Sequence, residues 1–148
     1  MKHLFMAAAL ALPLPALADV TLTMPDGASV VLTRAELAAL PAHEATGDYR
    51  SADGVQFRGA LLWDVIAAHT DLDDDVKEAL RHGILATAED GHAVLVSIGE
   101  IAPGFGERAV LLAYARSDAE GEAPIQLVSP GDTRGARHVH GIATLEIR

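Results

Sequence analysis

The sequence predicts an α+β fold, in which a mixed, mainly antiparallel sheet packs with short helices. Short apolar or alternating stretches recur between turns rich in proline, glycine and aspartate, as in strands joined by hairpins. Two or three other stretches have the apolar spacing of a short helix. Strands and helices do not alternate regularly, which argues against a parallel sheet built from repeated strand–helix–strand units.

The strands are predicted from alternation or from short apolar runs. Hairpins are expected where turn sequences at residues 25–27 and 89–92 separate two such runs. The strand that begins at Val55 is expected to end at Gly59, because glycine weakens a strand interior. The predicted strands cover residues 20–24, 29–32, 55–58, 84–88, 93–98, 109–115 and 142–147, together with a strand that runs from residue 125 into the turn at 130–131.

Each helix is predicted from apolar spacing and from its end signals. Thr33 and Glu36 have the spacing of a capping box, in which each side chain satisfies a backbone amide of the first turn. Asp75 begins the third helix, where an acid complements the helix dipole, and Gly83 is its expected C-cap. The predicted helices cover residues 34–40, 61–69 and 75–81.

The first 18 residues have the pattern of a secretory signal peptide. Lys2 gives a positive start, residues 4–12 form an apolar run, and residues 16–18 are a small-residue cleavage pattern. The apolar run is shorter than a membrane span requires. We therefore expect a periplasmic protein in which residues 19–148 form a single domain.

The chain is acidic and contains no cysteine. Its 21 Asp and Glu residues outnumber its 11 Lys and Arg residues, which gives a formal net charge of -10. Such a charge argues against nucleic acid or an anionic membrane surface as a partner. Without a thiolate the chain offers no sulfur ligand to a metal or a haem.

Against this acidic background, one loop gathers cationic groups. Residues 125–147 contain two apolar strands, and the loop between them carries Arg134, Arg137, His138 and His140. Glycines in the same loop let its backbone approach a ligand closely. Converging backbone amides and fixed donors of this kind suit a planar or anionic ligand. The alternative is a surface loop with solvated cations.

The same loop resembles a family motif. Residues 130–142, P-G-D-T-R-G-A-R-H-V-H-G-I, are similar to the signature P-G-x-x-G-A-R-x-V-K-W-L of the sulfite oxidase-type molybdopterin-binding fold. Residues 55–66 resemble that family's W-x-G-V-P-L-x-D-L-L, residues 88–98 its S-x-D-G-Y strand pair, and residues 112–130 its L-A-Y…P-L-R-L-V-x-P-G. The resemblance implies the same fold for almost the whole chain after the signal peptide.

The resemblance also implies site residues. Arg137 matches the family arginine that helps to hold the pterin cofactor and its phosphate, and His140 stands in place of a lysine with the same task. His138 falls at the variable position between them, and Arg134 matches no fixed cation of the family. The expected cofactor-binding residues are Arg134, Gly135, Arg137, His138, His140 and Arg58.

One departure from the family limits the expected chemistry. Family enzymes bind molybdenum through a cysteine, whose position falls near Gly47 in this chain, and no cysteine is present. Tyr49 and Arg50 occupy the neighbouring positions. A soft thiolate is not replaced by glycine, threonine or aspartate. A molybdenum oxidoreductase is therefore not the favoured function, and no molybdenum is expected.

The chain is also similar to small exported proteins of this fold that lack the cysteine. They bind a reduced pterin and report it to the periplasmic region of a membrane-bound cyclic-di-GMP enzyme, which makes this chain a candidate non-catalytic pterin-binding module with such a partner. Two alternatives stay open. One is a molybdopterin-dependent oxidoreductase with non-cysteine ligation. The other is a metal site at His138 and His140, which share one face of an extended chain.

Two acidic residues in residues 100–107 form a further candidate for a site. Glu100 and Glu107 flank Phe105 in residues 100–107, which are expected to be irregular because of Pro103, Gly104 and Gly106. Both carboxylates could line the mouth of a pocket. Because charged loop residues usually face water, solvated side chains are the preferred interpretation.

Overall fold

The computed structural model describes residues 17–47 and 53–148. This part of the chain forms nine strands, four short α-helices and one 3₁₀ turn at Gly135–Arg137. The strands are β1 (Val20–Thr23), β2 (Ser29–Leu32), β3 (Ala42–Thr46), β4 (Gln56–Leu61), β5 (Gly83–Ala88), β6 (Ala93–Ser97), β7 (Leu111–Arg116), β8 (Gln126–Val128) and β9 (Ile142–Ile147). The helices are α1 (Arg34–Ala39), α2 (Leu62–His69), α3 (Val76–Ala79) and α4 (Ile98–Ile101).

The strands divide between two sheets. One is mixed and has the order β2-β1-β9-β5-β6, with β1 and β9 parallel and the other neighbours antiparallel. The other is antiparallel and has the order β3-β4-β7-β8. The predicted α+β class is confirmed, but the expectation of a single sheet is wrong. Alternation fixes which face of a strand is buried, whereas strand partners depend on contacts distant in sequence.

Both sheets contribute to one large apolar core. Leu22 of β1, Leu145 of β9, Leu112 of β7 and Ile66 of α2 are all fully buried within it. Trp63 packs against this core at partial exposure, as expected for the only tryptophan. A smaller cluster of buried residues belongs to the four-stranded sheet and consists of Phe57, Leu111, Ala113 and Val128.

Gly59 does not end its strand, which corrects the sequence expectation. β4 continues through it to Leu61, and the pairing with β7 shifts register between Arg58 and Gly59. A Cβ added at Gly59 would lie 2.6 Å from Ala113 Cα and closer still to the Leu112 carbonyl oxygen. Glycine is therefore required by the close approach of two backbones and does not mark a turn.

Two further boundaries differ from the sequence expectation. The third helix is only Val76–Ala79, and Gly83 begins β5 instead of capping the helix. Asp75 does cap that helix, since its Oδ1 accepts a hydrogen bond from the Glu78 amide at 3.1 Å. Residues 100–107 are expected to be irregular, but residues 100 and 101 belong to α4. The helix can extend this far because the proline and the two glycines of this segment come after it.

The capping box predicted at Thr33 and Glu36 is confirmed. The Thr33 hydroxyl accepts from the Glu36 amide at 3.2 Å, and the Thr33 amide donates to Glu36 Oε2 at 2.7 Å. The hydrogen bond from Thr33 lowers the pKa of the Glu36 carboxyl. α1 then ends at Ala39, one residue before the predicted end.

Thr33→Ala is expected to lower the free energy of unfolding by about 1 kcal/mol, because the Glu36 amide loses its acceptor. Urea denaturation followed by circular dichroism measures this change. Thr133→Ala, which alters an exposed threonine outside any helix, is the matched control and should leave the urea midpoint unchanged. Equal midpoints for the two variants would show that the box does not stabilise α1.

The predicted signal peptide lies outside the described residues except for Leu17 and Ala18, and Tyr49 and Arg50 lie outside them as well. Within residues 17–47 and 53–148, no helix is both long and apolar enough to cross a membrane.

Candidate functional site

The centre of the candidate site is Arg137, at the end of the 3₁₀ turn that follows β8. Its Nε donates to Asp132 Oδ2 at 2.7 Å and its Nη2 to Asp132 Oδ1 at 2.8 Å. Its Nη1 donates to Glu100 Oε1 of α4 at 2.7 Å. A bidentate pair with one carboxylate and a third bond to another fix the plane of the guanidinium.

Arg108 joins the same network from the chain just before β7. Its Nη2 donates to Asp132 Oδ1 at 2.5 Å and to the Pro130 carbonyl oxygen at 3.0 Å, and its Nη1 lies 3.5 Å from Glu100 Oε1. We call Arg108, Arg137, Glu100 and Asp132 the arginine–carboxylate quartet. The quartet links α4 and the segment before β7 to the loop that carries the family-like motif.

The quartet has two positive and two negative groups and so no net charge. Its side chains are 19% to 33% exposed, so that solvent only partly screens their attraction. The hydrogen bond with Arg137 lowers the pKa of Asp132, and bonds to Asp132 and then Glu100 raise the pKa of Arg137. Asp132 and Arg137 therefore stay ionised at neutral pH.

A cleft of about 370 Å³ opens beside the quartet. Such a volume is at the small end of the range for ligand pockets. Arg134 makes no hydrogen bond or ion pair with any residue of the described chain, in contrast to Arg137. The cleft is lined by Gly131, Asp132, Thr133, Arg134, Ala136 and Arg137.

The loop is also held from the β5–β6 hairpin. His92 Nε2 lies 3.0 Å from the Ala136 carbonyl oxygen, which is an acceptor, so that His92 carries a proton on this nitrogen. Gly131 has a φ of 81° at the turn after β8, in the region that favours glycine. These constraints give the cleft wall a fixed backbone.

His138 is a buried member of a second cluster and is only 4% exposed. Its Nε2 lies 2.9 Å from Gln126 Oε1, and its ring centroid lies 5.4 Å from that of Phe57. Burial, followed by the charges of His140 and Arg116, lowers the pKa of His138 to about 3. His138 is therefore neutral at pH 7 and donates from Nε2 to Gln126.

His140 is exposed and stacks against His138. Their ring centroids are 4.2 Å apart, and they flank Val139, which forms a bridge with Leu127 of β8. The expected common face of the two histidines is therefore present. Although much of the residue is exposed, partial desolvation of its ring, followed by the Arg116 charge, lowers the pKa of His140.

The six residues predicted from sequence thus fall into different groups. Arg134 and Arg137 line one cleft, whereas His138 and His140 form a stacked pair beside Phe57. Gly135 starts the 3₁₀ turn, and its carbonyl accepts from the His138 amide at 3.1 Å.

Arg58 lines a different cleft, of about 350 Å³, together with Phe57 and Arg116. Its Nη1 lies 3.2 Å from Glu44 Oε1 in an exposed ion pair across β3 and β4. Exposed pairs of this type stabilise little. The lining of the cleft beside the quartet does not include Arg58.

Sequence reasoning missed the carboxylates of the site. Glu100 was expected to be solvated, but it accepts hydrogen bonds from Arg137, which corrects that interpretation. Glu107 is exposed and accepts from the Gly104 amide at 3.1 Å. The sequence pattern alone also does not indicate a role for Asp132 or Arg108. One sequence signal for the pairing of Arg137 is Asp132, an acid that lies five residues before it in the same loop.

The geometry gives little support to the alternative of a metal site at His138 and His140. The described residues contain no group of three or more His, Cys, Asp or Glu side chains placed to hold one metal ion. In the His138–His140 pair, Nε2 of His138 is already hydrogen bonded to Gln126. Another cleft, of about 870 Å³, lies between the β1–β2 turn and the end of α2, and its lining contains none of the predicted site residues.

No protein-family model matches the chain, and no curated protein matches it in sequence. What is established is the class of fold: an α+β protein with a mixed five-stranded sheet, an antiparallel four-stranded sheet and short helices.

Proposed function

We propose that this chain is a periplasmic, non-catalytic pterin-binding module with the sulfite oxidase-type molybdopterin-binding fold. The observation that carries the proposal is the cleft lined by two guanidinium groups, which lies within the segment that resembles the family signature. Guanidinium groups stack on flat heterocycles and donate paired hydrogen bonds to their edges. The order of the four resembling segments along the chain supports the same fold.

The charge balance of the site favours a neutral pterin over a phosphorylated one. The edge of Arg137 is taken by Asp132 and Glu100, so a phosphate would have to displace a bidentate carboxylate. In the proposed binding mode, the flat face of the Arg137 guanidinium stacks on the pterin ring. Arg134 is the cation of the cleft that can donate to a ligand without losing a partner in the described chain.

The absence of cysteine supports binding without catalysis. A pterin held by arginines needs no thiolate, whereas molybdenum in this family does. A periplasmic domain of a membrane-bound cyclic-di-GMP enzyme is the proposed partner, on the family resemblance alone. The alternative, a molybdopterin-dependent oxidoreductase with another ligand, predicts stoichiometric molybdenum in protein made in a cofactor-competent host, and elemental analysis decides between them.

Purified protein is expected to bind tetrahydropterins with a Kd below about 100 μM, followed by pterin fluorescence under anaerobic conditions. Arg134→Ala should weaken this binding by about tenfold or more, because a charge-assisted hydrogen bond is lost. Arg81→Ala removes an exposed arginine that pairs only with Glu78 among the described residues, and should leave the affinity unchanged.

Two results would contradict the proposal. Absence of pterin binding below about 100 μM would remove the function. Binding that survives Arg134→Ala unchanged would move the ligand away from this cleft. Comparing a pterin with its phosphorylated derivative then tests the charge argument: because the quartet is neutral and only Arg134 could attract the phosphate, we expect at most a small preference for the phosphorylated form.

A further inference from the structure

β6 is an edge strand with no charged residue. Its sequence is A-V-L-V-S, and within the described chain it pairs with β5 only, in unbroken register. Leu95 at its centre is 61% exposed, the highest value among the exposed large apolar side chains of the described residues. Among the described residues, no strand pairs with the outer row of backbone donors and acceptors of β6, and this row is therefore suited to accept another strand.

Natural proteins usually protect such an edge with lysine, proline or a bulge. β6 has none of these three protections. The chain has a net charge of -10, so two copies repel each other electrostatically. This repulsion is smallest where they approach through an uncharged edge such as β6. Both properties make β6 suitable for strand addition.

The sequence of β6 is almost symmetric about Leu95. If two copies pair antiparallel around a two-fold axis at this residue, Leu95 faces Leu95, Val94 faces Val96 and Ala93 faces Ser97. Each cross-strand pair then joins small or apolar side chains. A two-fold axis also closes the assembly at two chains.

The charges beyond the two ends of β6 favour the same orientation. The hairpin turn before β6 carries the exposed acids Glu89 and Asp90. Beyond the opposite end of β6, the exposed Arg81 and Arg148 flank Gly83, which pairs with Ser97. Arg81 is paired with Glu78 and Arg148 with Glu146, so these ion pairs carry no net charge. Antiparallel pairing brings the acidic turn of one copy to the neutralised end of the other, whereas parallel pairing would put the two acidic turns next to each other.

We propose that β6 pairs with β6 of a second copy of this chain, so that the five-stranded sheets of the two copies form one continuous sheet. This interface is independent of pterin binding. A five-residue antiparallel pair forms roughly four to six backbone hydrogen bonds. The dimer is accordingly weak and forms in the micromolar range, as is usual for small interfaces.

Sedimentation equilibrium between about 1 and 200 μM is expected to show a rise from the mass of one chain to that of two. Leu95→Lys should weaken dimerisation at least about tenfold, because two lysines would face each other at the axis. Val31→Lys is the matched control: it changes a 55% exposed residue on β2, the opposite edge of the same sheet, and should keep the parent dimer constant.

A cross-linking test uses the lack of cysteine. Leu95→Cys is expected to form an interchain disulfide under mild oxidation, since residues directly opposite at the axis have suitable Cβ separations. Val31→Cys at the same concentration should stay largely uncross-linked. A single-chain mass for the parent at 200 μM, or equal cross-linking of the two cysteine variants, would overturn the proposal.

Discussion

Gly59→Ala is expected to lower the free energy of unfolding by about 3 kcal/mol or more, which is a large loss for a small domain. The added Cβ would lie 2.6 Å from Ala113 Cα, and its other close neighbours are also backbone atoms of β7. Backbone atoms of a paired strand cannot move aside as a flexible side chain can. The strands must separate, and the damage reaches the bulge that adjoins Arg58.

Urea denaturation of Gly59→Ala beside Gly99→Ala measures the effect. At Gly99 the nearest atom to an added Cβ is Leu80 Cδ2 at 3.1 Å, a side-chain atom that can shift, and alanine also suits α4 better than glycine. We expect Gly99→Ala to change stability by less than about 1 kcal/mol. A Gly59→Ala protein as stable as the parent would show that β4 and β7 are farther apart than described.

Acidification from pH 7 to pH 4.5 is expected to destabilise the protein through His138. The folded pKa of about 3 is below the ordinary value of 6.5, so the unfolded chain binds the proton more readily in this range. Stability contributed by the neutral buried imidazole is complete above pH 6.5 and is lost as the pH falls towards 3. The free energy of unfolding then decreases by up to about 1.4 kcal/mol per pH unit.

The physical cause is the surroundings of His138. A proton on Nδ1 would place a positive charge in a buried position beside Arg116 and His140, and the lowered pKa of His140 acts in the same direction. The neutral ring instead donates to Gln126 Oε1, which also accepts from Arg116 Nη1 at 3.3 Å. The cluster is therefore organised around an uncharged imidazole.

His138→Gln tests this assignment, because a glutamine amide can still donate to Gln126 but does not titrate. Urea midpoints measured between pH 5 and pH 7 should vary less with pH in His138→Gln than in the parent. His69→Gln, at the end of α2, should keep the pH dependence of the parent. The same slope in His138→Gln and in the parent would show that His138 does not cause the acid sensitivity.

The sequence by itself determined those features that depend on neighbouring residues. The capping box at Thr33 and Glu36, the cap at Asp75 and the strand at residues 142–147 follow from local hydrogen bonding or apolar alternation, and all three are present. The α+β class follows from the same local signals. The pairing of strands into two sheets does not, because each strand can satisfy its alternation with several partners.

The tertiary structure alone decided which cations of the motif loop have partners. Arg137 is paired with Glu100, which is 37 residues away, and Arg108 reaches Asp132 across 24 residues. No spacing rule predicts an ion pair between segments so distant, since it depends on how α4 and the turn after β8 pack together. Likewise, the sequence predicts a strand end at Gly59, which is wrong, because glycine is required there by the backbone of β7 that lies against it. Local sequence patterns determine elements and caps; contacts between distant segments determine which charged groups remain available to a ligand.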